Sequence, residues 1–250
     1  MLSELPKPLL LAHRGASAYA PENTLAAFEL ALRQGAHGVE LDAKLSADRQ
    51  IVVMHDASVN RTTDGSGRVN KLPLAALREL DAGVRSTSNY HGQKIPTLAE
   101  TLETLGDRAI VNIELTNYTS PCDPLPELAA ELVERMNLQS NVLFSSFLPA
   151  NLYRVQRVLP HARVAILAYQ GALGRLGRGW IGRRAAPEFV HPYRKDINPA
   201  YIHSEHKRGR RIHAWTIDSL TEARAFLSMG GDGLISDNPP LMLQAMEEVG

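Results

Sequence analysis

The chain has 250 residues, 44% of them hydrophobic, which is enough to bury a sizeable core within one domain. Lys plus Arg and Asp plus Glu both number 27, so the formal net charge is zero; that argues against broad adhesion to nucleic acid or an anionic membrane, but not against local capture of a small anion. The one cysteine, Cys122, rules out an intrachain disulfide and reads as an inert free thiol.

Between Met1 and Leu11 the only apolar run is Leu9 to Leu11, without the charged start and cleavage site of a secretory signal. No apolar stretch approaches the ~18 residues of a membrane span. A cytoplasmic location without stable membrane insertion is therefore expected.

Short apolar runs alternate with helical patterns along the chain. The first strand is expected at Leu9 to Ala12, followed by His13-Arg14-Gly15. Asn23 or Thr24 then caps a helix carrying Leu25, Phe28 and Leu32, which Gly35 closes. Further strands are expected at Val39 to Leu45, Ile110 to Leu115, Val142 to Phe147, Arg163 to Ala168, Glu188 to His191, Arg211 to Trp215 and Gly233 to Ser236. Helices fall between them. One has Asp123 as N-cap and Pro124 at its first position. Another covers Leu152 to Leu159, and others open at Asn198-Pro199 and Asn238-Pro239. Ser219 with Glu222 reads as a capping box for a helix ended by Gly230-Gly231.

Eight strands, each followed by a crossover, force parallel pairing and closure. The expected fold is a (β/α)8 TIM barrel spanning residues 1–250 as a single domain. Residues 57–96 break the rhythm and read as a small inserted subdomain after the second strand. They hold a helical patch at Leu74 to Leu80, and a capping box of Thr97 and Glu100 follows.

In such a barrel, chemistry sits where the strands end. The first strand delivers His13 and Arg14, the second Glu40 and Asp42, and the next parallel strand Glu114. Glu40 and Asp42 are two apart, so both face one side. Three carboxylates at one mouth repel by roughly 3 kcal/mol per pair at ~5 Å and an effective dielectric of ~20. One divalent cation relieves that repulsion, and oxygen-only ligands favour Mg²⁺ or Ca²⁺. A tight hairpin around Ala47-Asp48 pairs positions summing to about 95, which sets His55 opposite Glu40. Two histidines and a guanidinium beside a cation suit phosphodiester hydrolysis: one imidazole takes a proton and the other gives one, while positive charge steadies the phosphoryl oxygens.

These residues lie within a longer ordered set. His13-Arg14-Gly15, Pro21-Glu22-Asn23-Thr24, Glu40-x-Asp42, His55-Asp56 and Arg61-Thr62-Thr63 with Gly65-x-Gly67 are followed by Ile95-Pro96-Thr97-Leu98, Asn112-Ile113-Glu114-Leu115, Trp215-Thr216 and the run from Asp232 to Asp237 with Pro239. The set resembles the glycerophosphodiester phosphodiesterase family in its compact bacterial soluble form. The resemblance implies a barrel with an inserted subdomain and a divalent metal, Mg²⁺ or Ca²⁺, on Glu40, Asp42 and Glu114. It also implies His13 and His55 as the acid–base pair and Arg14 as a phosphate contact. Analogy with related barrel phospholipases implies His13 as base and His55 as acid, with a substrate hydroxyl attacking first to give a cyclic phosphate that water opens.

The implied activity is release of sn-glycerol 3-phosphate and an alcohol from a small-molecule glycerophosphodiester. Alternatives are a lysophospholipase D-type reaction on lipids and a non-catalytic phosphodiester-binding barrel. Two positions depart from the family pattern: Thr116 stands where a lysine is common, and Asp218 where an asparagine is common. Trp215 is expected to share an inward face with His213, either packing on the glycerol or alcohol moiety of the substrate or serving as a core residue. His191 reads as structural, and residues 170–186, with four arginines and Trp180, as a surface loop, a partner-contacting helix or a lid that recruits anionic substrate. The sequence carries no signal of oligomeric state.

Overall fold

Leu9, Leu10, Leu11 and Ala12 are all fully buried, as a strand covered on both faces requires. The structure, a computed structural model, describes residues 5–169, 171 and 187–249; the arginine-rich stretch at 170–186 lies, except for Gly171, outside them. The parallel strands are β1 (Leu9–His13), β2 (Gly38–Leu45), β4 (Ile110–Leu115), β5 (Val142–Ser146), β6 (Arg163–Ala168), β7 (Phe189–Pro192), β8 (Arg211–Ala214) and β9 (Gly233–Ser236). They pair in that order, β9 pairs back with β1, and the ring closes into the expected (β/α)8 barrel. β3 (Ile51–Val53) stands outside the ring, antiparallel to β2.

Helix α1 (Leu25–Arg33) starts where the Thr24 hydroxyl accepts from Ala27 N. It ends at Gly35, whose φ of 90° lets Ala36 N donate to Ala31 O at 3.0 Å. The Thr97–Glu100 capping box opens α3 (Leu98–Leu105) as expected. Between β3 and α3, Val59, Val69, Leu77, Ala82 and Ile95 pack with Val52 and Met54 in a cluster separate from the main core; α2 (Leu74–Glu79) supplies Leu77. The remaining helices are α4 (Leu125–Arg135), α5 (Pro149–Val158), α6 (Pro199–His206), α7 (Leu220–Ser228) and α8 (Pro239–Val249). No helix of the described residues is long and apolar enough to cross a membrane.

Three local expectations need correction. The β2–β3 register pairs Ala43 with Val53 and Leu45 with Ile51, so paired positions sum to 96. The turn contains three residues, 47–49, with Arg49 left-handed at φ 61°, and the extra residue shifts every pair by one. Helix α4 begins at Leu125, one residue later than expected, with Asp123 accepting from Leu125 N at 3.1 Å. Ser219 makes no side-chain cap, because the Glu222 carboxylate pairs with Arg194; that stronger tertiary partner displaces the local box.

Candidate active site

The register of the barrel brings the sequence-distant acids together. His13 aligns with Glu40, and Asp42 aligns with Glu114. In-register residues of parallel strands face the same way, and Glu40, Asp42 and Glu114 each offer an oxygen within 4.8 Å of the others. Glu40 and Asp42 are buried. Burial, then the charges of Asp42 and Glu114, push the Glu40 carboxyl well above its usual range. Glu114 is pushed up to about 8 by burial and by Asp42.

The loop after β1 holds this cluster in place. Arg14 is left-handed at φ 57°, which turns its N–H onto Glu40 Oε2 at 3.0 Å. Gly15 follows at φ 84°, where a Cβ would stand 2.7 Å from the Ala27 backbone, so only glycine fits. Asn23, also left-handed, donates from Nδ2 to Asp42 Oδ2 at 2.8 Å. The Arg14 guanidinium donates to Glu22 at 2.9 Å and stands 3.4 Å from Asp42 Oδ2. Tyr118 OH donates to Glu114 Oε1 at 2.8 Å. Glu40 Oε1 is buried and has no hydrogen-bond partner among the described residues. An orphan carboxylate oxygen amid like charges suits a hard cation, and the all-oxygen donor set fits one.

Each candidate imidazole leans on its own carboxylate. His13 Nδ1 donates to Asp237 Oδ1 at 2.6 Å, and its Nε2 stands 4.0 Å from Glu40 Oε2. His55 Nδ1 donates to Asp56 Oδ1 at 2.7 Å. The hydrogen bonds of Arg61 hold Asp56 down to about 2, against its partial burial and with help from His55. Arg61 also donates to both Glu22 oxygens, at 2.6 and 2.8 Å, linking the two histidine loops through one guanidinium. His55 lines the same cavity although the register differs from expectation; the last hairpin bond before it runs from Met54 N to Asp42 O at 2.8 Å.

A cavity of about 490 Å³ opens on these groups. His13, Arg14, Glu40, His55 and Glu114 line it, together with Lys44 and Thr116. Phe147, Tyr169, Trp215, Leu167 and Ile235 supply its apolar lining. Asp42 lies behind the lining. Trp215 stands edge-on to Phe147, 5.7 Å between centroids, and Nε1 donates to His191 O at 2.7 Å. His213 does not join it in the cavity: it is buried against His191, 5.2 Å between rings, and against Phe189. Burial pushes His191 down to about 3, and burial with the neighbouring His191 pushes His213 well below its usual value. Asp218 accepts from Ser236 Oγ at 2.9 Å and Asp237 N at 2.8 Å, which fixes the loop that carries Asp237.

Sequence reasoning did not single out Asp237, Glu22, Asn23, Arg61, Tyr118 or Lys44 as site residues. Glu22, Asn23, Arg61 and Asp237 stand inside the quoted motifs; Lys44 and Tyr118 carried no signal.

The sequence matches the glycerophosphoryl diester phosphodiesterase family over residues 13–241. A glycerophosphodiester phosphodiesterase of Caldanaerobacter subterraneus is 34% identical over 98% of this chain and 100% of its own length. One of Bacillus altitudinis is 30% identical over 96% and 98%. An Oleispira antarctica phosphodiesterase, solved in complex with the product sn-glycerol-3-phosphate, superposes with a TM-score of 0.89 at 30% identity, covering 98% of each chain. With barrel, mouth and motif order all in agreement, the chain belongs to the glycerophosphoryl diester phosphodiesterase family.

Proposed function

We propose that the protein hydrolyses glycerophosphodiesters to sn-glycerol 3-phosphate and an alcohol, using one divalent cation, Mg²⁺ or Ca²⁺, on Glu40, Asp42 and Glu114. The observation that carries this reading is one cavity lined by two imidazoles, each oriented by a carboxylate, beside a cluster of acids close enough to share an ion. A bound divalent cation would supply positive charge to the phosphoryl oxygens and offset the mutual repulsion of the carboxylates.

Arg14, fixed by Glu22 and Asp42, adds a guanidinium for the same oxygens. Asp237 accepts from His13 Nδ1, which leaves Nε2 as the atom that takes the proton of the attacking hydroxyl. Asp56 holds His55 in the same manner, and His55 delivers a proton to the departing alcohol oxygen. The attacking hydroxyl is that of the substrate or of water; in the first case a cyclic phosphate forms and water then opens it. The wall of Phe147, Tyr169 and Trp215 favours a second substrate class, lysophospholipids with an apolar chain, cleaved by the same groups.

Glycerophosphocholine hydrolysis, measured with and without EDTA, tests the main reading. Turnover should stop on chelation and return with Mg²⁺ or Ca²⁺. Full activity after thorough chelation removes the cation from the scheme. His13→Ala and His55→Ala should each lose most turnover while staying folded. Parallel assays with lysophosphatidylcholine rank the two substrate classes.

A further inference from the structure

Lys44 lies two residues beyond Asp42 on β2, and Thr116 immediately follows β4, two residues beyond Glu114. The β2–β4 register aligns Asp42 with Glu114 and Ala43 with Leu115. Lys44 and Thr116 are therefore the next rung, on the same face as the carboxylates and one step nearer the opening. Lys44 Nζ donates to Thr116 O at 2.8 Å and Thr116 Oγ1 at 2.7 Å, while Thr116 Oγ1 donates to Ala43 O. The chain thus anchors an ammonium at a fixed point of the cavity rim.

Among the described residues two cationic side chains line this cavity, and they differ in what surrounds them. Arg14 is already committed to Glu22 and Asp42. Among the described residues both hydrogen-bond acceptors of Lys44 are neutral, and they leave one of its three N–H donors. A half-buried ammonium hydrogen-bonded only to neutral oxygens has its third donor available for an anionic partner. A phosphoryl group at the cluster would supply that partner.

We propose that Lys44, with Arg14, binds a non-bridging oxygen of the substrate phosphate, and that Thr116 is the positioning residue that holds the ammonium there. The inference rests on the phosphodiesterase reading, and the same experiment separates the two. Lys44→Gln keeps a donor for Thr116 but removes the charge. With saturating divalent cation, it should raise KM for glycerophosphocholine by about 10-fold or more and weaken calorimetric binding of sn-glycerol 3-phosphate by a similar factor, with the thermal midpoint held. Because the two positions share a rung, Lys44→Thr combined with Thr116→Lys moves the charge by one strand and should recover much of the binding that Lys44→Thr alone loses. A purely structural lysine would not be rescued in this way. Wild-type binding by Lys44→Gln overturns the proposal, as does a double variant that folds but binds no better than Lys44→Thr. A wild-type protein that turns over no glycerophosphodiester overturns the activity reading instead, and the sn-glycerol 3-phosphate titration still decides Lys44.

Discussion

Asp237 and His13 are 224 positions apart in the chain, yet their side chains meet at 2.6 Å. The contact exists because β9 and β1 pair at the seam of the barrel, with Ala12 aligned on Ser236. His13 and Ser17 hold the Asp237 carboxyl below its usual value against the cost of its burial. An Asp237→Asn variant keeps the shape but can donate to Nδ1, which would move the imidazole proton to Nε2. It should lose on the order of 10²–10⁴ in kcat while KM changes little. Near-normal kcat would remove Asp237 from the proton path.

Arg61 carries no expected contact with substrate, yet it joins Glu22 and Asp56 and so both histidine loops. Burial works against the Glu22 charge, but Arg61 and Arg14 outweigh it and keep the carboxyl ionised. Arg61→Ala should loosen the Arg14 and His55 placements together, lowering kcat/KM by about 10-fold or more. Arg61→Lys makes a single contact in place of a fork and should recover only part. Steady-state kinetics of the pair decide this, and equal rates in all three proteins would leave the bridge without a role.

The barrel was legible because buried parallel strands are short apolar runs, and Leu9–His13 and Ile110–Leu115 read that way directly. The carboxylate cluster was legible from strand ends and a two-residue spacing. Partners fixed by closure of the ring were not: nothing local in Ser236-Asp237 announces His13. The hairpin slipped by one position because Arg49 takes a left-handed conformation that glycine or asparagine would have advertised. Lys44 was passed over because its meaning depends on the register with Thr116, a property of two strands rather than one.

Trp215 lines the cavity while its indole N–H is tied to His191 O. Trp215→Phe keeps the wall but loses that bond, and Trp215→Ala opens it. KM for diesters with a bulky or apolar alcohol should rise by about 10-fold in the alanine variant, with a smaller rise for Phe. A compact alcohol such as ethanolamine should be affected less. Identical KM ratios for every alcohol would place the headgroup elsewhere.

His191 and His213 form a buried pair inside the barrel, their rings tilted by 30° at 5.2 Å. Both take protons less readily folded than unfolded, with His191 down to about 3 from 6.5. Their contribution is therefore complete above about pH 6.5 and is lost as pH falls toward 3. The slope is about 1.4 kcal/mol per pH unit for each imidazole. Urea unfolding of wild type and His191→Leu at pH 7.5 and pH 5 isolates one imidazole, since other groups cancel in the comparison. Wild type should lose about 2 kcal/mol more than the variant between the two conditions. Equal losses would mean that a partner stabilises the protonated ring.

The carboxylates run in the opposite sense. Glu114 takes its proton off near pH 8 when folded and near 4.5 in its ordinary state, and Glu40 is raised in the same direction. Between those pH values the folded chain holds more protons than the unfolded one, so stability without a cation falls as pH rises. A divalent cation binds the ionised carboxylates and should reverse that loss. Chelated protein should therefore melt at a lower temperature at pH 8 than at pH 6, and added Mg²⁺ or Ca²⁺ should raise the midpoint more at pH 8. Glu40→Gln removes one of the three charges, so it should melt higher than wild type under chelation at pH 8 and respond far less to either ion. Differential scanning calorimetry across that pH range reads both effects. A midpoint indifferent to both ions at pH 8 would leave the three acids without the cation that their proximity demands.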